Sequence, residues 1–191
     1  MLTISGMRGL SAKLSIPNNN VRTQYYRYLQ NEYDKYLPVN VNELRATFDN
    51  AALDDDYMEM FTYIAQAYKN ASVNRNSIEG ERTIQGFYMA YLGLNPYYLM
   101  HPEIELNHGY GDILLLPDTR FDFVNHCYLV EFKYITTDSK PTDEVAAFNA
   151  AKAQLDFYAT DPKIVKMISY SQVHKIVMIF KGGDLVKLEE V

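Results

Sequence analysis

This chain has no tryptophan, a single cysteine (Cys127) and no excess of positive charge. Nor does any apolar run approach the roughly eighteen residues that would cross a bilayer. Each absence excludes something. One cysteine cannot build an internal disulfide framework and suits a reducing cytosol, so a cytoplasmic setting is expected. No membrane-spanning helix is expected, and the first thirty residues hold no apolar segment long enough for a signal peptide. Lys and Arg total 18 against 24 Asp and Glu, a net charge of −6. That balance argues against a protein that grips nucleic acid by bulk positive charge. It does not exclude a nuclease, whose metal-binding carboxylates add negative charge of their own. What is present is ordinary for a globular protein: 191 residues, 48% hydrophobic and 22% charged, enough for one domain with a helical appendage. Tyrosine is abundant, 17 residues, which suits semi-buried helix faces and also stacking on bases.

The pattern divides near residue 76. Residues 1–76 read as a helical leader after a short extended start, Leu2 to Gly6. Asn18 to Asn20 are good N-caps, and Val21, Tyr25, Tyr28, Leu29, Tyr33 and Tyr36 then recur at helical spacing. A short helix is expected from Val41 to Ala51, begun at Asn40 or Asn42. Another runs over Tyr57 to Tyr68, with Asp54-Asp55-Asp56 at its start complementing the helix dipole. Those three acids also invite a metal-site reading, but capping is the expectation. The polar run Asn70 to Asn76 is the expected boundary. Residues 77–191 then read as helix (Ser77 to Leu92), strands (Tyr97 to Leu106, Gly111 to Leu116, Cys127 to Tyr134), helix (Pro141 to Tyr158) and strands (Val173 to Phe180, Leu185 to Leu188). The order α-β-β-β-α-β-β predicts an α/β (α+β) domain with a mixed central sheet flanked by helices. Pro102 predicts a bulge or an edge position for its strand.

One constellation stands out. Asp112 opens a strand, and Glu131 and Lys133 close the next one. A hairpin centred near residues 122 and 123 sets position 112 across from about 131 to 133. Glu131 and Lys133, two apart, share a face. Both strands are apolar on both faces, so three charges meet at the edge of an apolar core, where isolated charge is costly. Two carboxylates suit a hard cation such as Mg²⁺, with water and phosphate oxygens completing its shell. A lysine beside them can orient or help deprotonate a water and offset charge. A self-neutralising Asp–Lys or Glu–Lys ion pair is the competing reading, and spacing alone leaves the two even.

Gly111-Asp112 followed by Glu131-Phe132-Lys133 resembles the signature of the PD-(D/E)XK nuclease superfamily. Glu81-Arg82 with Gln85-Gly86-Phe87 matches the helix before the sheet in one branch, the nuclease domain found C-terminal to an AAA-ATPase-like domain in bacterial proteins. Gln154 and Tyr158, one turn apart, match the helix after the lysine. Leu2-Thr3-Ile4, Ile16-Pro17-Asn18 and Val21-Arg22 look like segments preceding the nuclease in that branch. The resemblance implies a restriction-endonuclease-like core and a Mg²⁺- or Mn²⁺-dependent activity on nucleic acid, DNA or RNA. By the same likeness Asp112 and Glu131 hold metal, Lys133 positions water, Glu81 supports the site, and Gln154 and Tyr158 form its rim. It further implies an adjoining ATPase-like domain as partner. No phosphate-binding G-x-x-x-x-G-K-[ST] loop occurs in the chain, so an excised fragment or a stand-alone remnant is expected. A catalytically inactive binding or regulatory module of the same fold is the alternative. The chain departs from the branch in two places. The usual Gly-Tyr-Gly-Arg-x-Asp is Gly109-Tyr110-Gly111-Asp112, without its arginine, and Gln85 stands where many relatives carry histidine.

Other residues carry weaker expectations. His101, His108, His126 and His174 show no paired metal-ligand spacing, and with one cysteine no structural zinc site is expected. His108 reads as an exposed loop residue near the site. Arg22, Arg27, Tyr25, Tyr26 and Tyr28 read mainly as a packing surface.

Overall fold

Asn40 shows how closely local chemistry sets the helices. Its side chain accepts the backbone N–H groups of Asn42 and Glu43 and starts α2 (Val41–Leu53), following α1 (Asn19–Asp34), which Asn18 caps through the Val21 N–H. The computed structural model describes residues 3–8, 11–15, 18–34, 39–72, 80–106 and 109–191. Before α1 lies a separate hairpin, β1 (Thr3–Arg8) with β2 (Ser11–Ser15). β2 was not expected, because five residues alternating Ser, Ala, Lys, Leu and Ser are too few for a clear period. Next come α3 (Met58–Ser72) and α4 (Glu81–Leu92). The helix start expected at Ser77 and the boundary around residues 73–76 lie outside the described residues.

A five-stranded sheet follows, in the order β3 (Tyr98–Leu106), β4 (Gly109–Pro117), β5 (His126–Ile135), β6 (Gln172–Lys181), β7 (Asp184–Glu190). The β5–β6 pair is parallel and the others are antiparallel. The parallel pair requires a crossover, supplied by α5 (Pro141–Ala159) and α6 (Pro162–Ile168). Asp143 accepts the Lys140 N–H and Pro141 occupies the first turn, fixing the start of α5 as expected. α6 was not foreseen; Asp161 caps it and Pro162 opens it, yet seven residues give too little periodicity to read.

The sheet divides two cores. Tyr128, Val130, Phe132, Ile176, Met178 and Phe180 pack with residues of α1–α4, such as Leu44, Phe61, Ile64, Tyr68 and Tyr88. Leu114, Leu129, Val177 and Ile179 pack with Ala151, Leu155 and Tyr158 of α5. This is period-two alternation in a central strand buried on both faces. On helix α1, among its described side chains, Tyr26 is the buried tyrosine, while Tyr25 and Tyr28 are 45% and 58% exposed. Tyr26 seats against Gly93, where a Cβ would meet its ring at 2.3 Å. Pro102 lies on the edge strand β3, as expected, and the next residue, Glu103, turns left-handed with φ 45°.

The acids Asp54 to Asp56 do not open α3. Asp54 is the C-cap of α2, and Asp55 takes φ 59°. The acid in the first turn of α3 is Glu59. Histidines on the sheet account for where the Asp55 carboxylate goes, as described below.

Candidate active site

Strand register brings the central carboxylates together. The β4–β5 ladder runs through Leu115↔Tyr128, Leu114↔Leu129 and Ile113↔Val130, and one further step sets Asp112 opposite Glu131. There the carboxylate of Asp112 replaces a ladder acceptor: its Oδ2 takes the Phe132 N–H at 2.8 Å. Its Oδ1 accepts from Gln85 Nε2, also at 2.8 Å. Gln85 lies one turn after Glu81 on α4, so one face of that helix serves the site. Gly80, at φ 128°, leads the chain into α4 and sets Glu81 at its first position.

Glu131 is buried, with 2% of its surface exposed. Its Oε1 accepts from Lys133 Nζ at 2.7 Å, and its Oε2 is buried without a hydrogen-bond partner. The ion pair of the competing reading is therefore present, but it leaves one carboxylate oxygen uncompensated. Burial, and next the Glu131 charge, push the Asp112 carboxyl up to about 7, against the lowering effects of the Phe132 N–H and Lys133. Burial likewise raises Glu131, opposed by its bond to Lys133. For Lys133 burial acts downward, yet the Glu131 bond and the charges of Glu131, Glu81 and Asp112 outweigh it, so its pKa rises. Lys133 is thus an ammonium at neutral pH. Glu81 acts electrostatically on all three groups.

Gln154 and Tyr158 line the α5 side. Gln154 Nε2 donates to the Tyr158 hydroxyl at 3.4 Å, while Gln154 Oε1 is buried and unpartnered. Burial raises the Tyr158 pKa, and the Glu131 charge is the next contributor. All six sequence-derived positions thus lie around one locus. Gln85 belongs to the site as well, through a bond to Asp112 that depends on how α4 crosses the sheet and leaves no local pattern in the sequence. His108 lies outside the described residues.

The donor set fits a hard divalent cation. It offers two carboxylates, one with a buried oxygen that nothing in the protein satisfies. Among the described residues, however, three ligand atoms within 4.8 Å of one another occur elsewhere, at Asp55, His126 and His174. A groove of about 800 Å³ is lined in part by Arg22, Arg27 and Arg45, and by Arg120, which is paired with Asp118.

A mixed sheet with Asp112, Glu131 and Lys133 on its two central hairpin strands defines a nuclease-like fold. The PD-(D/E)XK nuclease superfamily model matches residues 79–190, and the chain belongs to that superfamily. No curated protein matches the chain. No helix among the described residues is long and apolar enough to cross a membrane.

Proposed function

We propose that the protein is a Mg²⁺- or Mn²⁺-dependent nuclease, hydrolysing phosphodiester bonds of DNA or RNA at Asp112, Glu131 and Lys133. The observation that carries this reading is the buried, unpaired Oε2 of Glu131 beside Asp112. Two carboxylates desolvated side by side, with only one lysine, favour uptake of a cation. When bound, such a cation polarises the phosphoryl group and lowers the pKa of a bound water. Asp112 and Glu131 hold it, and the bonds from Gln85 and the Phe132 N–H fix the orientation of Asp112. Lys133, held as an ammonium, orients the attacking water and offsets negative charge that grows on the phosphoryl oxygens. Glu81 supports the site from α4. Gln154 presents an unpartnered carbonyl at the rim, with Tyr158 beside it.

In this reading residues 77–191 are the nuclease-like unit and residues 1–76 its helical leader. The arginine groove supplies local positive charge against the net −6. The exposed Tyr25 and Tyr28 of α1 are where an adjoining ATPase-like domain docks.

A second reading, a catalytically inactive binding or regulatory module, draws on the Lys133–Glu131 pair and the arginine missing before Asp112. A cleavage screen over single- and double-stranded DNA and RNA with Mg²⁺ or Mn²⁺ separates the two. Metal-dependent cleavage that Lys133→Ala lowers by about 10²–10⁴-fold, with the fold intact, is the expected result. Cleavage equal in wild type and variant sinks the catalytic assignment. No cleavage of any substrate, together with Mn²⁺ binding that Asp112→Asn leaves unchanged, selects the regulatory module.

A further inference from the structure

Three ligand-bearing side chains meet at the other end of β5. His126 opens that strand, and His174 lies on β6 opposite Tyr128, two residues along and on the same face. Asp55, in the turn between α2 and α3, reaches the same point from the helical layer. His126 Nδ1 is 3.3 Å from Asp55 Oδ1, His174 Nε2 is 3.2 Å from it, and the two ring nitrogens are 3.3 Å apart. The three atoms form a nearly equilateral triangle.

That triangle has the dimensions of one face of a metal tetrahedron. With zinc–nitrogen and zinc–oxygen distances of about 2.0–2.1 Å and tetrahedral angles, neighbouring ligand atoms are separated by about 3.3 Å. The surroundings are those of a metal-binding histidine. His174 Nδ1 meets Glu190 Oε1 at 2.9 Å, which directs the Nε2 lone pair inward. Tyr57 donates its hydroxyl to Glu190, and the ring of Tyr128 stacks on His174. His174 is buried, while His126 and Asp55 are partly exposed to solvent. Asp55 Oδ1 is buried and accepts no aligned hydrogen bond. The left-handed backbone of Asp55 fits the same picture, since it brings a carboxylate to two imidazoles.

We propose that Asp55, His126 and His174 bind a borderline transition-metal ion of the zinc class. Glu190 is the positioning residue for His174, and water or a further ligand takes the fourth place. Imidazole donors select such ions over Mg²⁺. The site joins the α2–α3 turn to β5 and β6, and it is independent of the nuclease reading. His126 and Glu131 are five residues apart along one strand, roughly 16 Å, and on opposite faces.

The test is titration of the chelator-stripped full chain with Co²⁺, read by its visible d–d absorption. One equivalent should bind with the intense bands of tetrahedral cobalt, undisturbed by excess Mg²⁺ and by Asp112→Asn. His126→Ala and Asp55→Asn, both at the solvent-facing rim, should each weaken binding at least tenfold, with circular dichroism confirming that the variants fold. Absence of a saturable band in the wild type overturns the proposal. So does Co²⁺ affinity within tenfold of wild type in either folded variant. A variant that does not fold is replaced by Glu190→Gln, which should weaken binding by about 10–100-fold.

Discussion

The two ends of β5 hold charged clusters of opposite character. At one end Asp112, Glu131 and Glu81 offer only hard oxygens around a lysine, and the groups compete for too little positive charge. At the other, two imidazoles and one carboxylate converge on a point, with Glu190 and Tyr57 supporting them. One sheet thus holds two donor sets of different hardness on different faces, so each can be altered without touching the other. The comparison also separates what spacing reveals from what only folding assembles.

The largest effect should come from Phe132, which lies between Glu131 and Lys133 and faces the other core. Phe132 is fully buried against Tyr88, with ring centroids 5.0 Å apart. Phe132→Ala should cost about 3–5 kcal/mol in urea unfolding. If β5 is one rigid support, that variant weakens both clusters together. Retention of wild-type Co²⁺ binding alongside lost nuclease function would show instead that the two ends are mechanically separate.

Acidity provides a second contrast. The folded Asp112 carboxyl titrates at about 7, against an ordinary value of 3.8. A carboxyl with a raised folded pKa favours folding when protonated. Its contribution is fully present below about 3.8 and is lost as pH rises to about 7. Stability of the metal-free protein should therefore carry a downward component across that window, and Asp112→Asn should remove it. Asp55→Asn should leave that component unchanged. A slope insensitive to Asp112→Asn would show that other groups govern it.

Gln85→Leu should have the smallest effect. It deletes one hydrogen bond to Asp112 and should cost about 1–3 kcal/mol by chemical denaturation. Mn²⁺ binding should weaken while Co²⁺ binding at the histidines stays as it was. Equal weakening of both would contradict the separation of the two clusters.

The oxygen cluster was legible because hairpin register follows sequence distance. Asp112 and Glu131 lie nineteen residues apart across a single hairpin, and Glu131 and Lys133 are two apart on one face. The long helices and strands were readable for the same reason, since each holds several repeats of its own period. The histidine cluster joins positions 55, 126 and 174, whose encounter depends on a parallel crossover and on α2–α3 docking over the sheet. No local pattern encodes that. The histidines lack paired metal-ligand spacing in the chain, and such spacing does not reveal what a parallel register brings together. Asp54 to Asp56 read as helix caps because the helix dipole is a local effect, whereas the histidines beside Asp55 are distant in sequence. On α1 the helical period of the tyrosines does not say which side meets the core: Tyr26 does, while Tyr25 and Tyr28 face outward.

Pro102 and Glu103 bear on a different matter, the company the molecule keeps. β3 is an outer strand of the sheet, where a straight run of backbone groups would recruit a strand from another chain. Pro102 contributes no N–H, and the left-handed Glu103 breaks the extended line directly across from Asp112. Recruitment of a strand from a second molecule is therefore disfavoured at that point of β3, so this edge of the sheet resists self-association.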